Sequence, residues 1–284
     1  MERHQTGTVF DINYDIVLPI GAGCPTAMAL SHHAMRFSSF PFDWLRVGSI
    51  NEQSAILAGR FKDFFNLKDL KISKTETNEH HLVVDNTRWG YASCHDFPKG
   101  ETLEASHPGI SSKLDRRIHR LVSQLDAGCN VMLLWVDYPF EQAELPVDEL
   151  QKALAKIQQA YPNSTFSLLY IHNQEGLTYS NRIEKHVTPH ICQISIAYNA
   201  HKVDHPWLIK YEELSFLLSR IHISPSPDKD KQTYKRYTAM KSNFGNSEQV
   251  YLRRHRFAQN FASLILNKRS VWKISKIIYE LMKH

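Results

Sequence analysis

The chain has 284 residues, 42% of them hydrophobic, and a formal net charge of +5. This length and composition are those of a soluble globular protein with a full core. The four cysteines, at positions 24, 94, 129 and 192, form no CxxC pair, which excludes a disulfide scaffold and a tetrahedral zinc site. No run reaches the ~18 apolar residues of a membrane span, and the N-terminus has no apolar signal segment, so we expect a cytoplasmic protein.

An apolar run at residues 16–20 leads into the sequence Gly-Ala-Gly-Cys. The run predicts a buried strand, and Pro25 suits the first position of a helix, so Cys24 is predicted at the N-cap. A helix N-terminus carries about half a positive charge and unpaired N–H groups, so it can stabilise a thiolate and bind an oxyanion. A cysteine at such a turn can also be just a small buried residue. Gly21 and Gly23 resemble the start of a dinucleotide loop, but the missing third glycine argues against a Rossmann site.

Asp43 lies in an unusual setting, within the segment Pro-Phe-Asp-Trp at residues 41–44. Because bulky apolar residues and a proline surround it, the carboxylate is predicted to be partly buried and to need partners. One expectation is that it caps the following helix or pairs with Arg36 or Arg46. The functional alternative is that it orients an imidazole.

Histidine is the usual base for a cysteine nucleophile, and the chain has 16 histidines. His95 is the first candidate because it lies in a short strand-like segment between Cys94 and Asp96. Its structural alternative is a histidine satisfied by the backbone. His172 and His190 lie at the ends of apolar strands, where the sites of α/β proteins gather, and either can be the base instead.

The middle of the chain predicts a parallel sheet. A strand at 130–137, a helix at 147–161 and a strand at 165–172 form a βαβ unit with a right-handed crossover. The other predicted elements are helices at 51–70 and 113–125, hairpin strands at 81–85 and 90–97, and a strand at 191–198. We therefore expect an α/β domain at residues 1–222, with a mostly parallel sheet flanked by helices.

The composition changes after residue 222. The sequence Ser-Pro-Ser-Pro opens a linker and polar segment at 223–250. Residues 251–284 are predicted to form a basic amphipathic helical tail, since the sequence from position 249 onward contains eight Lys and Arg residues and only one acidic residue. The tail either packs on its own domain or contacts an anionic membrane surface, which would place the protein peripherally at the inner membrane. A basic tail on a near-neutral body argues against nucleic acid as a partner.

Taken in order, these motifs resemble an uncharacterised bacterial family labelled "putative papain-like cysteine peptidase". The resemblance covers roughly residues 14–200, and its specific parts are Cys24 and the Pro-Phe-Asp-Trp segment. It implies that Cys24 is the nucleophile and His95 the base, with Asp96 or Asp43 in support. It also implies a second possible fold class, the α+β papain fold.

The leading hypothesis is a cysteine-dependent hydrolase or acyl-group transferase that uses Cys24 and His95 and needs no cofactor or metal. Backbone N–H groups from Gly23 to Ala27 would bind the oxyanion. The residues predicted to bind the unknown substrate are Gly21, Gly23, Phe42 and Trp44. The alternatives are a transferase in cell-envelope polysaccharide biosynthesis and a non-catalytic binding protein.

Overall fold

The computed structural model describes residues 7–21, 23–33, 35–74, 80–137, 143–197, 211–228 and 230–244. Within these ranges, the side chains of residues 24, 25, 32, 211–213 and 240–244 lie outside the description. The chain divides into two units, Met1–Tyr237 and Thr238–His284. Because the described residues end at 244, the predicted basic tail at 251–284 lies outside them.

The described residues form eleven strands and six α-helices. In chain order the strands are β1 (Asn13–Tyr14), β2 (Ile16–Pro19), β3 (Leu45–Arg46), β4 (Leu70–Ile72), β5 (His81–Asn86), β6 (Ala92–Pro98), β7 (Asn130–Val136), β8 (Thr165–Asn173), β9 (Ile183–Thr188), β10 (Ile191–Ile196) and β11 (His222–Ile223). The helices are α1 (Cys24–His32), α2 (Ile50–Ala58), α3 (Leu103–Ala127), α4 (Val147–Ala160), α5 (Tyr211–Leu218) and α6 (Lys231–Phe244). None of these helices is both long and apolar enough to cross a membrane.

A five-stranded sheet with the order β2-β7-β8-β10-β9 organises the first unit. Four strands are parallel, and β9 at the edge is antiparallel to β10. The predicted βαβ unit is formed by β7, α4 and β8, with Trp135 opposite Tyr170. The prediction of a mostly parallel α/β sheet flanked by helices is confirmed over the alternative α+β fold.

A second, antiparallel sheet has the order β3-β6-β5-β4. The predicted hairpin is confirmed as β5 and β6. Ser93 on β6 pairs with Leu45 on β3, directly after the Pro-Phe-Asp-Trp segment. This sheet therefore holds the segment at 41–44 next to the strand that carries His95.

The apolar core lies on both faces of the parallel sheet, because successive side chains of a strand point to opposite faces. Leu133 and Trp135 belong to a cluster that includes residues of α2, α3, α4 and the antiparallel sheet. Leu134 and Val136 belong to a second cluster with residues of α1 and α5. Trp135 and the side chains in register with it thus share one face of the sheet.

The helix predicted at 51–70 is wrong over its second half. Helix α2 ends at Ala58, where Gly59 is the C-cap. Arg60, Phe61 and Asp63 then adopt positive φ angles of 57°, 59° and 57°. The phenylalanines of this stretch are buried from a compact turn, and their spacing imitates one face of a helix.

Two other elements differ from the sequence prediction. Helix α3 begins at Leu103, ten residues before the predicted start, and the Thr102 hydroxyl caps it by accepting from the Ala105 N–H at 3.2 Å. In the predicted linker, α6 begins at Lys231, where Asp230 accepts from the Gln232 and Thr233 N–H groups. Local capping oxygens thus fix both helix starts.

Candidate active site

The turn from β2 to α1 carries Cys24. The helix begins at Cys24 itself, and its N-cap is Gly23, so the predicted N-cap was one residue too late. The Gly21 carbonyl accepts from the Gly23 N–H at 2.7 Å and from the Thr26 hydroxyl at 3.0 Å. These bonds close the turn at the carboxyl edge of the parallel sheet and put the first helical N–H groups beside it.

Gly21 packs against the neighbouring strand β7. A Cβ atom added at Gly21 would lie 2.7 Å from the Cα atom and two ring atoms of Trp135. The turn therefore requires glycine here because the adjacent backbone leaves no space. This contact connects the cysteine turn to the indole of Trp135.

Strands β7 and β8 end in a buried hydrogen-bond network centred on Asp137. Asp137 Oδ2 accepts from His172 Nδ1 at 2.8 Å and from the Tyr170 hydroxyl at 2.6 Å. Asp137 Oδ1 accepts from the Trp135 indole N–H at 2.9 Å. Burial, followed by the charge of Asp137, raises the pKa of Tyr170 far above its usual value, so the phenol stays protonated and continues to donate.

The network fixes the tautomer of His172. Because Nδ1 donates to the carboxylate, Nε2 carries the lone pair and can accept a proton. The His172 side chain is 11% exposed and that of Asp137 is 3% exposed. A histidine oriented by a carboxyl group is the usual arrangement of a general base.

His172 was an alternative base in the sequence analysis, whereas Asp137 was not among the predicted site residues. The available signal was positional, since Asp137 and His172 end two apolar strands of one predicted βαβ unit. Such strands are parallel neighbours, so their carboxyl ends meet at one edge of the sheet.

His95 lies on β6 in a different setting. Its exposed ring makes edge contacts to Trp44 and His81, with centroid distances of 6.1 and 6.2 Å. Asp96 accepts from the Ser93 hydroxyl at 2.8 Å and forms an ion pair with Lys113. The ion pair of Asp96 with Lys113 thus links the antiparallel sheet to α3.

The surroundings of His95 in the folded chain lower its pKa. Desolvation is the main cause, and the charge of His81 adds to it, although Asp96 opposes both. The folded state favours the neutral His95 ring. As the pH falls through about 6.5, the ring therefore becomes protonated in the unfolded state before it does so in the folded state. His95 therefore lowers the stability of the fold in acid and is neutral at pH 7.

An NMR titration of the histidine ring protons should give His95 a midpoint below 6.5. In His81→Gln the midpoint should move upward, because one of the two causes of the shift is removed. A wild-type midpoint at or above 6.5 would contradict the desolvated setting of this ring.

Asp43 is buried, at 1% exposure, and pairs with Arg36. Its Oδ2 atom accepts from Arg36 Nε at 3.0 Å and from the Phe40 N–H at 2.8 Å. Of the alternatives predicted for Asp43, the ion pair with Arg36 is the one that the structure shows. Burial raises the pKa of the Asp43 carboxyl, while Arg36 opposes this shift.

The other members of the Pro-Phe-Asp-Trp segment divide between core and surface. Phe42 is 4% exposed and packs on Phe61 and Phe64, with centroids at 5.1 and 5.9 Å. Trp44 is half-buried, and the Arg36 guanidinium lies 5.7 Å from its ring centroid. Of the two aromatic residues predicted to bind substrate, Trp44 is the one that a ligand can reach.

A cluster of Glu184, His186 and Cys192 brings three potential metal ligands together. However, Arg220 holds both Glu184 oxygens at 2.8 Å. Burial favours protonation of Glu184, but hydrogen bonds and charge from Arg220 and Arg182 outweigh it and lower the pKa of Glu184 to about 2. Burial also raises the pKa of Cys192 to about 12. The cluster is therefore an ion-pair site with a protonated thiol, which does not suit a divalent cation.

The fold and the site define a parallel α/β protein with a cysteine turn and a His-Asp pair at one sheet edge. Residues 15–176 match the family model "Putative papain-like cysteine peptidase (DUF1796)". The match spans more than half of the chain, so the chain belongs to this family. An uncharacterized protein of Acanthamoeba polyphaga mimivirus is 22% identical over an alignment of 185 residues, which covers 59% of this chain and 82% of that protein. No solved structure matches the chain.

Proposed function

We propose that this protein is a cysteine-dependent hydrolase or acyl-group transferase in which Cys24 is the nucleophile. The observation that carries the proposal is the buried pair of Asp137 and His172. These residues lie at the carboxyl ends of β7 and β8, the two strands that follow β2 in the sheet, and β2 leads into the cysteine turn. Membership of a family described as papain-like cysteine peptidases supports the same chemistry.

The relative position of the three residues follows from strand register. Strand β2 lies beside β7, and the Ile20 N–H donates to the Leu134 carbonyl at 3.0 Å just before the turn. Strand β7 lies beside β8, and the Asp137 N–H donates to the Ile171 carbonyl at 3.0 Å. The cysteine turn, the acid and the histidine therefore follow one another along one edge, where sites of parallel α/β sheets form.

In this mechanism His172 Nε2 takes the proton of the Cys24 thiol, and the thiolate attacks the carbonyl carbon of the substrate. Negative charge moves to the carbonyl oxygen, where N–H groups at the start of α1 stabilise it. The tetrahedral intermediate expels its leaving group, which takes the proton from His172. Water or another acceptor then releases the acyl group from the cysteine, while the hydrogen bond to Asp137 keeps the His172 ring in place.

His95 is the second candidate for the base. Its lowered pKa keeps it neutral at pH 7, and its ring is accessible. Its neighbours are aromatic rings, whereas His172 has a carboxylate that orients it. We therefore assign the base to His172 and use His95 as the competing assignment in the experiment.

Alkylation of Cys24 by iodoacetamide tests the proposal without knowledge of the substrate. The wild-type thiol should react well below pH 8. In His172→Gln the rate at pH 7 should fall by up to about 30-fold, because a free thiol with a pKa near 8.5 is only ~3% ionised at that pH. His95→Gln should retain the wild-type rate. Peptide mass spectrometry measures each cysteine separately.

Cys192 is an internal control in the same digests. It is buried and its pKa is raised to about 12, so it should stay unmodified at pH 7 in the folded chain. A fall in His95→Gln alone would transfer the base to His95. An unreactive Cys24 in the folded wild type would overturn the catalytic assignment and favour a binding protein.

A further inference from the structure

One face of α3 carries a row of three cations beside the loop of residues 36–44 and strand β6. Lys113, Arg117 and Arg120 are spaced by four and three residues, so they share this face. Arg120 Nη2 donates to the Ser39 carbonyl, and Lys113 pairs with Asp96. The loop adds its own ion pair between Arg36 and Asp43.

Arg117 stands apart from these pairs. No hydrogen bond or ion pair engages its guanidinium in the part of the chain that the structure describes. The side chain is half-buried, and desolvation lowers its pKa while the charges of Asp43 and Asp96 oppose that shift. An arginine stays protonated in proteins. It is therefore a partly desolvated cation that no acceptor among the described residues engages.

A second donor nearby also lacks an acceptor. The Nε atom of Arg120 is buried without a hydrogen-bond partner within the described residues. The charges of Arg117 and Asp43 both act on Arg120. Unsatisfied buried donors are uncommon and costly, so this one calls for an acceptor.

The local charges do not balance. Four cations face two acids across this interface, which leaves an excess of two positive charges. The cations are Arg36, Lys113, Arg117 and Arg120, and the acids are Asp43 and Asp96. The charges of Arg236 and Asp230 also act on Arg120, with opposite signs, and the charge of the exposed Arg116 acts on Arg117. A bound group with two negative charges would neutralise the excess.

We propose that Arg117 and Arg120 bind the phosphate group of a phosphorylated small molecule. The planar guanidinium fork matches a phosphate through parallel N–H···O bonds, and a monoester carries about two negative charges at neutral pH. A terminal phosphate presents three free oxygens and can enter a half-buried site. This site does not depend on Cys24 or on the proposed catalysis.

Binding of inorganic phosphate to the full chain, measured by isothermal titration calorimetry at pH 8, tests the proposal. Arg117→Gln should weaken binding roughly 10- to 100-fold, which corresponds to the loss of one or two charge-assisted hydrogen bonds. The matched control is Arg116→Gln, which removes the same charge from the adjacent, exposed position and should bind phosphate within about twofold of wild type.

Several outcomes would overturn the proposal. Equal weakening by both variants would indicate diffuse attraction to a basic helix, and the absence of saturable binding by the wild type would remove the site. Dimethyl phosphate, a singly charged diester, should bind more weakly than phosphate, and equal binding would contradict a monoester ligand.

Two further variants keep the result interpretable. If Arg117→Gln does not fold, Arg117→Lys keeps the charge without the fork and should still weaken binding, and unchanged binding would contradict the geometry. Cys24→Ala should bind phosphate like the wild type. A failure of the catalytic proposal is therefore distinguishable from a failure of the phosphate site.

Discussion

Replacement of Asp137 by alanine is expected to lower the free energy of unfolding by at least about 3 kcal/mol. Its carboxylate accepts hydrogen bonds from the Trp135 indole, the Tyr170 hydroxyl and the His172 ring. Each donor left buried without a partner costs about 1–3 kcal/mol, and the variant leaves three donors without their acceptor. Since domains are stable by only about 5–15 kcal/mol, the midpoint of urea unfolding should fall clearly.

Asp148→Ala is the matched control for this change. Asp148 is exposed and pairs with Lys152 one helical turn away at 2.8 Å. Such an exposed pair contributes little to stability, so the control should unfold close to the wild-type midpoint. If the two alanine variants cost the same, Asp137 does not organise the strand ends.

A double-mutant cycle separates the base from the rest of the network. The cost of Asp137→Ala combined with His172→Gln should be smaller than the sum of the single costs, because both variants remove one shared hydrogen bond. Additive costs would mean that the acid and the histidine act independently. The same variants should slow alkylation of Cys24 if the pair acts on the thiol.

The parallel sheet could be predicted because its strands are continuous apolar runs with a helix between them. Strands β7 and β8 are buried on both faces, so their sequences have no polar alternation to confuse them with a surface strand. Strand β9 was missed for the opposite reason. It is an edge strand with no buried residue, and its polar sequence lacks the apolar run that identifies a buried strand.

Parts of the site were also visible in the sequence. Glycine and proline around Cys24 predicted the turn to within one residue, and the apolar setting of Asp43 predicted its pairing with Arg36. The partnership of Asp137 and His172 was not predicted. It depends on which strands become neighbours and in which register, and these are long-range properties of packing.

The turn at 59–65 shows a different limit. Three residues other than glycine adopt positive φ there, at a cost that local sequence does not reveal. Burial of Phe61, Phe64 and Phe65 stabilises this conformation against the helix that their spacing favours. Tertiary packing thus overrides local propensity at this point.

Gly21→Ala is expected to destabilise the protein by about 3 kcal/mol, the upper end of the ~1–3 kcal/mol range for an overpacked core. The added methyl would lie 2.7 Å from the Cα atom of Trp135 and from its ring. Because that Cα belongs to the paired backbone of β7, the contact can be relieved only by separating two strands. The displaced indole should also weaken its bond to Asp137, so alkylation of Cys24 should slow in the same variant.

Gly109→Ala makes the same chemical change in a position that tolerates it. Gly109 lies inside α3, and a Cβ there would meet nothing within 4 Å. Alanine is favoured over glycine within a helix by about 0.5–1 kcal/mol, so this variant should be more stable than wild type. In both thermal and urea unfolding, the midpoint should therefore fall for Gly21→Ala and rise for Gly109→Ala. An unfolding midpoint that rises for Gly21→Ala, as it should for Gly109→Ala, would mean that Gly21 does not pack on Trp135. The cysteine turn would then have no contact through Trp135 to the Asp137 network.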